Sequence, residues 1–468
     1  MNIKIHNTLS KKVELFKPVT PGQVGMYHCG PTVYDYAHIG NLRAYLFADI
    51  VRRVFEYGGY SVKQVINITD VGHLVSDGDD GEDKMTKALK REGRALTLKD
   101  MAEVANFYTE KFIDDLKNLH IKLPDVLPKA SEHIKQDIEI ISELEKKGFA
   151  YKISDGIYFD VSKFKTYGVL GGISEVLKNQ NESRVVNPEK HSPADFTLWK
   201  FDDKLGWDSP WGKGFPGWHI ECSAMSREYL GQPFDIHTGG TDHIQVHHNN
   251  EIAQSEAAFG VSLANYWMHS AFIVIDDGKM SKSKGNFYTL AKLNEEAISP
   301  IAYRYWLLTS HYRSQVNFTF EAVKSAQNAL IKLMAHVSSY PKGPEGPKGL
   351  DGGTVIPTYK AKFESYIGDD FNMPKAVALA WDLIKDQKQS DADKKATLLD
   401  FDTVFGLDLA HVPTVQVETI PPEVTVLAEA REEARKSKDW KKADALREEI
   451  EARGYVVKDV EGGFEISS

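Results

Sequence analysis

The residues best suited to hold a metal ion are the only two cysteines of the chain, Cys29 and Cys222, together with a histidine and a glutamate. Cys29 follows the strand-like run QVGMYH directly, and Cys222 lies in GWHIECSAM. His247 and Glu251 stand at positions i and i+4 of HHNNE, so both project from one face of a predicted helix. Two thiolates, an imidazole and a carboxylate are donors that Zn²⁺ binds.

Spacing alone does not choose the histidine of this group. His243 and His248 face directions similar to that of His247, so all three stay candidates at this point. The four donors also come from segments that are far apart in sequence, and buried cysteines without a metal are common. The alternative to a metal site is therefore a pair of ordinary core cysteines.

A second group of polar residues is suited to phosphate. The tetrapeptide HIGN, His38 to Asn41, falls in a turn between a predicted strand and a predicted helix. Free N–H groups and the positive end of the helix dipole favour an anion at such a helix start, and an imidazole can donate to phosphate oxygens. Ordinary loop chemistry is the alternative for this motif taken alone.

A third motif, GKMSKSKGN at 278–286, carries Lys279 and Lys282 three residues apart between serines and glycines. A cationic loop of this composition can close over a polyphosphate and neutralise the charge that develops in a transition state. A solvated basic loop is the alternative.

The elements that position these motifs begin with a strand and turn at 22–36, a helix from 41 to 57 and a second strand at 60–70. The helix is indicated by apolar residues near helical spacing, and Gly58-Gly59 ends it. The second strand is apolar through its centre, as in a buried parallel strand. Strand, helix and strand predict a βαβ unit and thus a parallel sheet.

Beyond this unit the pattern is mixed. An acidic loop is predicted at 76–83, and helical periodicity follows from 84 to 122. We interpret 123–214 as an insertion into the sheet domain, because the pattern of a parallel strand returns at 233–242. From 298 the chain is predicted to be helical. Two stretches rich in proline or loop-forming residues predict linkers at 341–353 and 411–424.

The end of the chain is predicted to form one charged helix at 423–453 and a short β tail. On such a helix four cations fall near one stripe, and Trp440 is placed to stack on an unpaired base. The alternatives are a solvated i,i+4 charge face and a tryptophan that packs the tail domain. The four cations are Arg431, Arg435, Lys438 and Lys442.

Composition narrows the class of protein. The chain has 468 residues, 42% of them hydrophobic, and a net charge of −10, which argues against non-specific binding of nucleic acid by the whole surface. No run of about 18 apolar residues predicts a membrane span. Two cysteines cannot form a disulfide framework, so we expect a cytoplasmic protein without a membrane partner.

The order of these motifs resembles the class I aminoacyl-tRNA synthetases, and in detail the cysteinyl-tRNA synthetase family. The segments that carry the resemblance span nearly the whole chain: NTLS, MYHCGPTVYDYAHIGN, NITDVGH, PGWHIECSAM, DIHTGGTDHIQVHHNNEIAQSEA, YWMHSAFIVIDDGKMSKSKGN, RYWLLTSHYRSQ, DDFNMPKA and the tail ARKSKDWKKADALREEIEARGY. The resemblance implies ATP-dependent ligation of L-cysteine to its cognate tRNA through a cysteinyl-adenylate. It also implies one Zn²⁺ per chain in the amino-acid pocket and Mg²⁺ with the ATP. We expect a monomer.

The resemblance assigns roles to particular residues. Zinc ligands are Cys29, Cys222, His247 and Glu251. Thr69 and Trp218 bind the amino acid. The residues assigned to ATP and to catalysis are His38, Gly40, Asn41, Asp242, Lys279 and Lys282.

Two positions depart from the family pattern. The familiar HIGH reads HIGN, so Asn41 replaces a histidine, and HHENE reads HHNNE, which places Asn249 before Glu251. An amide still hydrogen-bonds phosphate, so we expect altered contacts at Asn41 and retained activity. Asn249 is expected behind the ligands or at the surface.

The resemblance and the pattern together predict an α/β fold: a Rossmann-like parallel-sheet catalytic domain, an inserted mixed α/β subdomain, an all-α C-terminal tRNA-binding region and a small β tail. We divide the chain into a first catalytic half (1–122), a connective insertion (123–214), a second catalytic half (215–270), a stem-contact region with the lysine loop (271–325), a helical anticodon-binding domain (326–410) and a C-terminal helix with a tail domain (411–468).

Two rival functions remain open at this stage. A related ligase that joins cysteine to an amino-sugar would share the sheet, the zinc and the adenylate. A non-catalytic, zinc-dependent RNA-binding module would use the lysine loop only as a basic patch.

Overall fold

The computed structural model describes residues 1–71, 84–171, 187–275, 278–279, 287–340, 353–411, 422–437, 439–453, 455–460 and 463–467. The acidic loop expected at 76–83, nearly all of both expected linkers, and Lys282 lie outside these residues. The chain divides into two compact units, 1–410 and 411–468.

The strands, in chain order, are β1 Lys4–Asn7, β2 Lys12–Leu15, β3 Gln23–His28, β4 Ser61–Ile66, β5 Ala150–Ile153, β6 Gly156–Phe159, β7 Phe196–Phe201, β8 Gly214–Pro216, β9 Phe234–Gly240, β10 Ala264–Ser270, β11 Ile273–Ile275, β12 Gly278–Lys279, β13 Val316–Asn317, β14 Val456–Val460 and β15 Gly463–Ser467.

The α-helices are α1 Ile39–Tyr57, α2 Lys84–Arg91, α3 Leu98–Asn118, α4 Ile134–Lys146, α5 Ile220–Leu230, α6 His247–Phe259, α7 Leu290–Glu295, α8 Pro300–Leu308, α9 Phe320–Ser339, α10 Pro357–Ile367, α11 Met373–Lys385, α12 Asp391–Phe405, α13 Pro422–Lys436 and α14 Trp440–Ala452. None of these described helices is long and apolar enough to cross a membrane.

A parallel sheet in the order β10-β9-β3-β4 forms the centre of the first unit. β3 pairs in parallel with β4 along its whole length and with β9 at its end, where His28 lies opposite Thr238. The predicted βαβ unit is therefore confirmed, with α1 as its crossover. Because the strands are parallel, their carboxyl ends meet at one edge of the sheet, which is where such folds bind ligands.

Helix α1 packs as its apolar spacing predicts. The five residues that indicated the helix are all buried in the main core. They are Leu42, Leu46, Ile50, Val51 and Val54. The helix begins two residues earlier than predicted because the side chain of His38 caps its first turn. The amino end of α1 is thereby fixed next to the end of β3.

Two predicted helical stretches are each broken in two. The stretch 84–122 consists of α2 and α3, because Gly93 adopts a left-handed φ of 64° and the Thr97 hydroxyl accepts from the backbone N–H of Asp100 to start the second helix. The single charged helix predicted at 423–453 is wrong: it is α13 and α14. Asp439 caps α14 by accepting from the N–H of Lys442.

This second break also corrects the predicted stripe of cations. Arg431 is buried in the small unit, whose core is formed by Val424, Ala428, Ile450 and Val457, and so it cannot belong to an exposed stripe. Lys438 lies outside the described residues. The predicted β tail is confirmed as the antiparallel hairpin of β14 and β15.

The stretch between the two halves of the parallel sheet contains α4 and an antiparallel sheet in the order β5-β6-β7-β8. Its own apolar core includes Ile141, Phe159 and Trp199, and Ile220 and Ala253 belong to the same cluster. Ile220 and Ala253 are on α5 and α6. The antiparallel layer therefore supports from behind the two helices that carry Cys222 and Glu251.

Candidate active site

Four donor groups converge at the carboxyl edge of the parallel sheet. Cys29 directly follows β3, Cys222 lies in the first turn of α5, and His247 and Glu251 lie in the first two turns of α6. All four side chains are buried, and one ligand atom from each lies within 4.8 Å of the others. The structure thus brings together the set that the resemblance implies.

The donor set fits a metal ion such as Zn²⁺. The Nδ1 atom of His247 lies 2.8 Å from Nδ1 of His219, which leaves Nε2 directed at the group. That Nε2 is 3.0 Å from Oε1 of Glu251, yet it makes no hydrogen bond to any described residue although it is buried. A buried imidazole nitrogen beside two sulfurs and a carboxylate is a donor set that suits Zn²⁺.

The electrostatics of the group favour a bound cation. A hydrogen bond from Cys29 lowers the pKa of the Cys222 thiol to about 6. Burial raises the pKa of Glu251, but the charges of His237 and His247 outweigh it and hold that pKa well below its usual range. Burial lowers the pKa of His247, but the charges of Glu251 and Cys222 outweigh burial and raise that pKa to about 10. The two negative groups thus draw positive charge to this position.

A second group of possible ligands shares Cys29 and Glu251 with the first and adds His237 and His248. Both of these histidines already have partners. His237 Nε2 lies 2.8 Å from Oε2 of Glu251, and His248 lies 2.8 Å from His269 through Nδ1 and 3.4 Å from the sulfur of Cys29 through Nε2. The geometry therefore favours His247 as the ligand.

Sequence reasoning missed the histidines that support the ligands. His219 orients His247, and His237 stacks on Trp267 with a centroid distance of 4.5 Å while it holds Glu251. Asn249 is likewise buried and not at the surface: its amide donates to the carbonyls of Gly171 and Ile244. The one feature of the sequence that could have indicated a supporting residue was the histidine at position 237, which lies inside a buried strand.

The HIGN turn forms the amino end of α1. His38 Nδ1 accepts from the N–H of Asn41 at 3.1 Å, and the Asn41 side-chain oxygen accepts from the N–H of His38 at 3.3 Å. Asn41 therefore acts as a helix cap. Because Nδ1 accepts, a neutral imidazole carries its proton on Nε2.

One cavity of about 450 Å³ connects these two groups. Its wall includes most of the predicted site residues that the structure describes: Cys29, His38, Gly40, Asn41, Thr69, Trp218, Cys222, Asp242 and His247. The ring of Trp218 lies 4.6 Å from that of His247. Metal-type donors thus lie at one end of the cavity and a helix amino terminus at the other.

Two glycines allow this close approach of elements. A Cβ at Gly30 would lie 1.4 Å from the carbonyl oxygen of Asn67, so the segment after β3 can cross the end of β4 only without a side chain. A Cβ at Gly239 would lie 2.7 Å from Nδ1 of His243 and 2.8 Å from Cε1 of His248. Larger residues at either position would push the ligand-bearing segments apart.

The lysine loop is described only in part. Lys279 belongs to β12, which pairs antiparallel with β11 so that Lys279 lies opposite Val274. Lys282 lies outside the described residues. This pairing anchors the described start of the motif to β11.

Comparison with solved structures places the fold among tRNA synthetases. Methionyl-tRNA synthetase of Mycobacterium tuberculosis, in complex with methionyl-adenylate, aligns with a TM-score of 0.54 and 15% identity over 84% of this chain and 92% of its own. The LeuRS of Agrobacterium radiobacter K84, in ternary complex with tRNA and LeuAMS, aligns with a TM-score of 0.59 and 11% identity over 85% of each chain. A family model of the tRNA synthetases class I (C) catalytic domain matches residues 15–328. The chain therefore has the fold and the catalytic domain of a class I tRNA synthetase.

The particular family follows from closer relatives. The chain is 46% identical to cysteine–tRNA ligase 1 of Burkholderia lata, over 99% of this chain and 96% of the relative. It is 41% identical to cysteine–tRNA ligase of Treponema denticola, over 99% of each. A family model of the cysteinyl-tRNA ligase anticodon binding domain matches residues 418–466. The chain belongs to the cysteinyl-tRNA synthetase family.

Proposed function

We propose that this protein activates L-cysteine with ATP and transfers the cysteinyl group to its cognate tRNA. The observation that carries the proposal is one cavity whose wall includes both Cys29, Cys222 and His247 and the capped amino end of α1, with Glu251 completing the donor group behind it. One end suits a thiol and the other suits phosphate, so a small thiol amino acid and a nucleotide fit side by side.

The amino-acid end selects cysteine against serine. These substrates differ by one atom, and shape alone separates such pairs poorly. Zn²⁺ held by the four donors would bind the substrate sulfur as a thiolate much more strongly than it binds a hydroxyl. Trp218, whose ring packs beside His247, closes the pocket around the small side chain. A site with this preference needs no separate editing domain.

The nucleotide end holds ATP. The Nε2–H of His38 and the N–H groups at the start of α1 donate to its phosphate oxygens, with Gly40 allowing close approach. Asp242, in the short turn after β9, accepts from the ribose. Lys279 and Lys282 neutralise the charge on the phosphates, and Mg²⁺ accompanies the ATP as part of that substrate.

The reaction needs no nucleophile from the protein. A carboxylate oxygen of cysteine attacks the α-phosphorus of ATP, the bond from that phosphorus to the bridging oxygen breaks, and pyrophosphate leaves with the electron pair. The cysteinyl-adenylate is then attacked by a ribose hydroxyl at the tRNA 3′ end, and AMP leaves. The chain contributes positioning and charge stabilisation.

The C-terminal regions bind the tRNA in this proposal. Trp440 is 56% exposed at the start of α14, and the guanidinium of Arg435 lies 5.9 Å from its ring centroid. An exposed indole next to a cation is suited to an unpaired anticodon base. The helices of 326–410 form the predicted helical anticodon-binding domain. We expect the protein to work as a cytoplasmic monomer.

Cysteine-dependent exchange of labelled pyrophosphate into ATP, followed by charging of the cysteine tRNA, tests the proposal. Exchange with cysteine and none with serine, together with charged tRNA, is the expected result. Exchange without any charging of tRNA would favour ligation to an amino-sugar. Absence of cysteine-dependent exchange from metal-replete protein would leave only an RNA-binding role and refute the proposal.

A further inference from the structure

A chain of buried hydrogen bonds lies directly behind the cavity and is not explained by the metal ligands. The Asn67 side-chain oxygen accepts from the N–H of Gly30 at 2.7 Å, and its amide donates to the Thr69 hydroxyl at 3.1 Å. The Thr69 hydroxyl in turn donates to Oε2 of Glu221 at 2.7 Å. Glu221 is completely buried, and its Oε1 has no hydrogen-bond partner among the described residues.

This chain determines what the Thr69 hydroxyl can offer to a ligand. A hydroxyl has one hydrogen to donate and two lone pairs. Glu221 takes the hydrogen, and the amide of Asn67 uses one lone pair. One lone pair remains, and Thr69 lines the cavity. The hydroxyl is therefore set as an acceptor toward whatever fills the cavity.

The backbone of Thr69 is fixed as firmly as its side chain. Its N–H donates to the carbonyl of Pro31 at 3.0 Å, and its carbonyl accepts from the N–H of Val33 at 3.1 Å. The backbone N–H therefore has its partner, and the carbonyl is tied to the segment after β3. These bonds hold the residue in place, while Asn67 and Glu221 set the orientation of its hydroxyl.

We infer that Glu221 is a positioning residue that holds the Thr69 hydroxyl as an acceptor for the α-ammonium group of the amino-acid substrate. The inference rests on the proposed function, because it requires cysteine in this cavity. Of the polar groups of cysteine, the thiol is directed to Cys29 and Cys222 and the carboxylate must face ATP. The ammonium group is the remaining donor, and an acceptor is what Thr69 provides.

The assignment does not depend on the protonation state of Glu221. Oε2 accepts the Thr69 hydrogen both in the carboxylate and in a carboxylic acid that carries its proton on Oε1. Without Glu221, the hydroxyl is free to rotate and to point its hydrogen at the substrate, where it would meet the N–H donors of the ammonium group.

Two thiol ligands separate this role from a general structural one. Cysteine carries the ammonium group, whereas 3-mercaptopropionate carries the same thiol and carboxylate without it. Glu221→Ala should raise the KM for cysteine in pyrophosphate exchange by about tenfold or more, which corresponds to loss of one charge-assisted hydrogen bond. The inhibition constant of 3-mercaptopropionate and the bound metal should stay at wild-type values.

Three further variants complete the test. Glu221→Gln keeps an acceptor oxygen and should recover most of the affinity for cysteine. Thr69→Val should reproduce the Glu221→Ala effect, and the double variant should be no weaker than either single one. Asp137→Ala, the matched control, removes another fully buried carboxyl that has no hydrogen-bond partner among the described residues, and should leave both ligands unaffected.

Equal weakening of cysteine and 3-mercaptopropionate by Glu221→Ala would overturn the inference, since it would indicate a damaged pocket or lost metal. A Glu221→Gln variant as weak as Glu221→Ala would also overturn it. Failure of the proposed function itself gives a different result, because the wild-type protein would then show no cysteine-dependent exchange at all.

Discussion

The choice between two overlapping sets of ligands yields the sharpest prediction. Both sets contain Cys29 and Glu251, but one is completed by Cys222 and His247 and the other by His237 and His248. His247→Gln removes the imidazole whose Nε2 faces the sulfurs without a hydrogen bond. His248→Gln removes a neighbour of the same type from the same helix and serves as its matched control.

The two variants should differ strongly in metal affinity. Loss of a residue that only orients a ligand typically costs about 10–100-fold in metal affinity, and loss of a ligand costs at least as much as the upper value. His248 contacts the sulfur of Cys29 at 3.4 Å and His269 at 2.8 Å, so it can only orient. We therefore expect about 100-fold or greater weakening for His247→Gln and about tenfold weakening, the lower end of the range for an orienting residue, for His248→Gln.

Competition for Zn²⁺ against a chelator of known affinity measures the metal affinity of each variant. Cysteine-dependent pyrophosphate exchange then measures how the loss of metal affects cysteine activation. Thermal unfolding of each variant establishes that it is folded, since His248 belongs to a buried network. Stronger metal loss from His248→Gln than from His247→Gln would refute the assignment. It would move the ion to the set that contains His237.

Further predictions concern the lysine loop, tRNA binding and stability. Lys282→Ala should slow cysteinyl-adenylate formation in single-turnover measurements far more than it raises the KM for cysteine; the reverse would contradict a role at the phosphates. Trp440→Ala should raise the KM for tRNA about tenfold through loss of one stacked base and leave pyrophosphate exchange unchanged. Arg304→Met removes a buried guanidinium that donates to Asp49 at 2.6 Å, so chemical denaturation should show a loss of about 3 kcal/mol. Burial and then the neighbouring Asp114 raise the pKa of Asp115 to about 7, so its ionisation opposes folding as the pH rises. Asp115→Asn should therefore raise the Tm by an amount that grows from about pH 4 to pH 7 and is constant above; a uniform shift would contradict this.

Local pattern was sufficient for elements whose burial follows from their own spacing. α1 was predictable because its five apolar residues form one stripe, and β4 because its centre is apolar throughout. Both elements face the main core, so propensity and packing agree. The pairing of β3 with β9 was harder to predict from local sequence pattern. It joins segments more than 200 residues apart, and only the resemblance to a family indicated that Cys29 and Cys222 would meet.

Helix breaks and supporting side chains were missed for a different physical reason. In the sequence, helical periodicity continues across Gly93 and across 437–439, although one helix ends at Arg91 and another at Lys436. The break is set by single capping residues, which periodicity does not register. Likewise, His219 and His237 act through atoms 2.8 Å from a ligand, and which atoms come that close depends on the whole packing of α5, α6 and β9.

The proposed selectivity for a thiol would depend on the geometry of the parallel sheet. Cys29 and Thr69 follow two adjacent parallel strands, and the contact of Gly30 with Asn67 sets the separation between them. The same contact carries the hydrogen bond from Gly30 that begins the chain ending at Glu221. The position of a metal donor and the orientation of the Thr69 acceptor are therefore fixed by one backbone approach. A side chain at position 30 would disturb both together, and we expect Gly30→Ala to impair thiol binding and ammonium binding in the same protein.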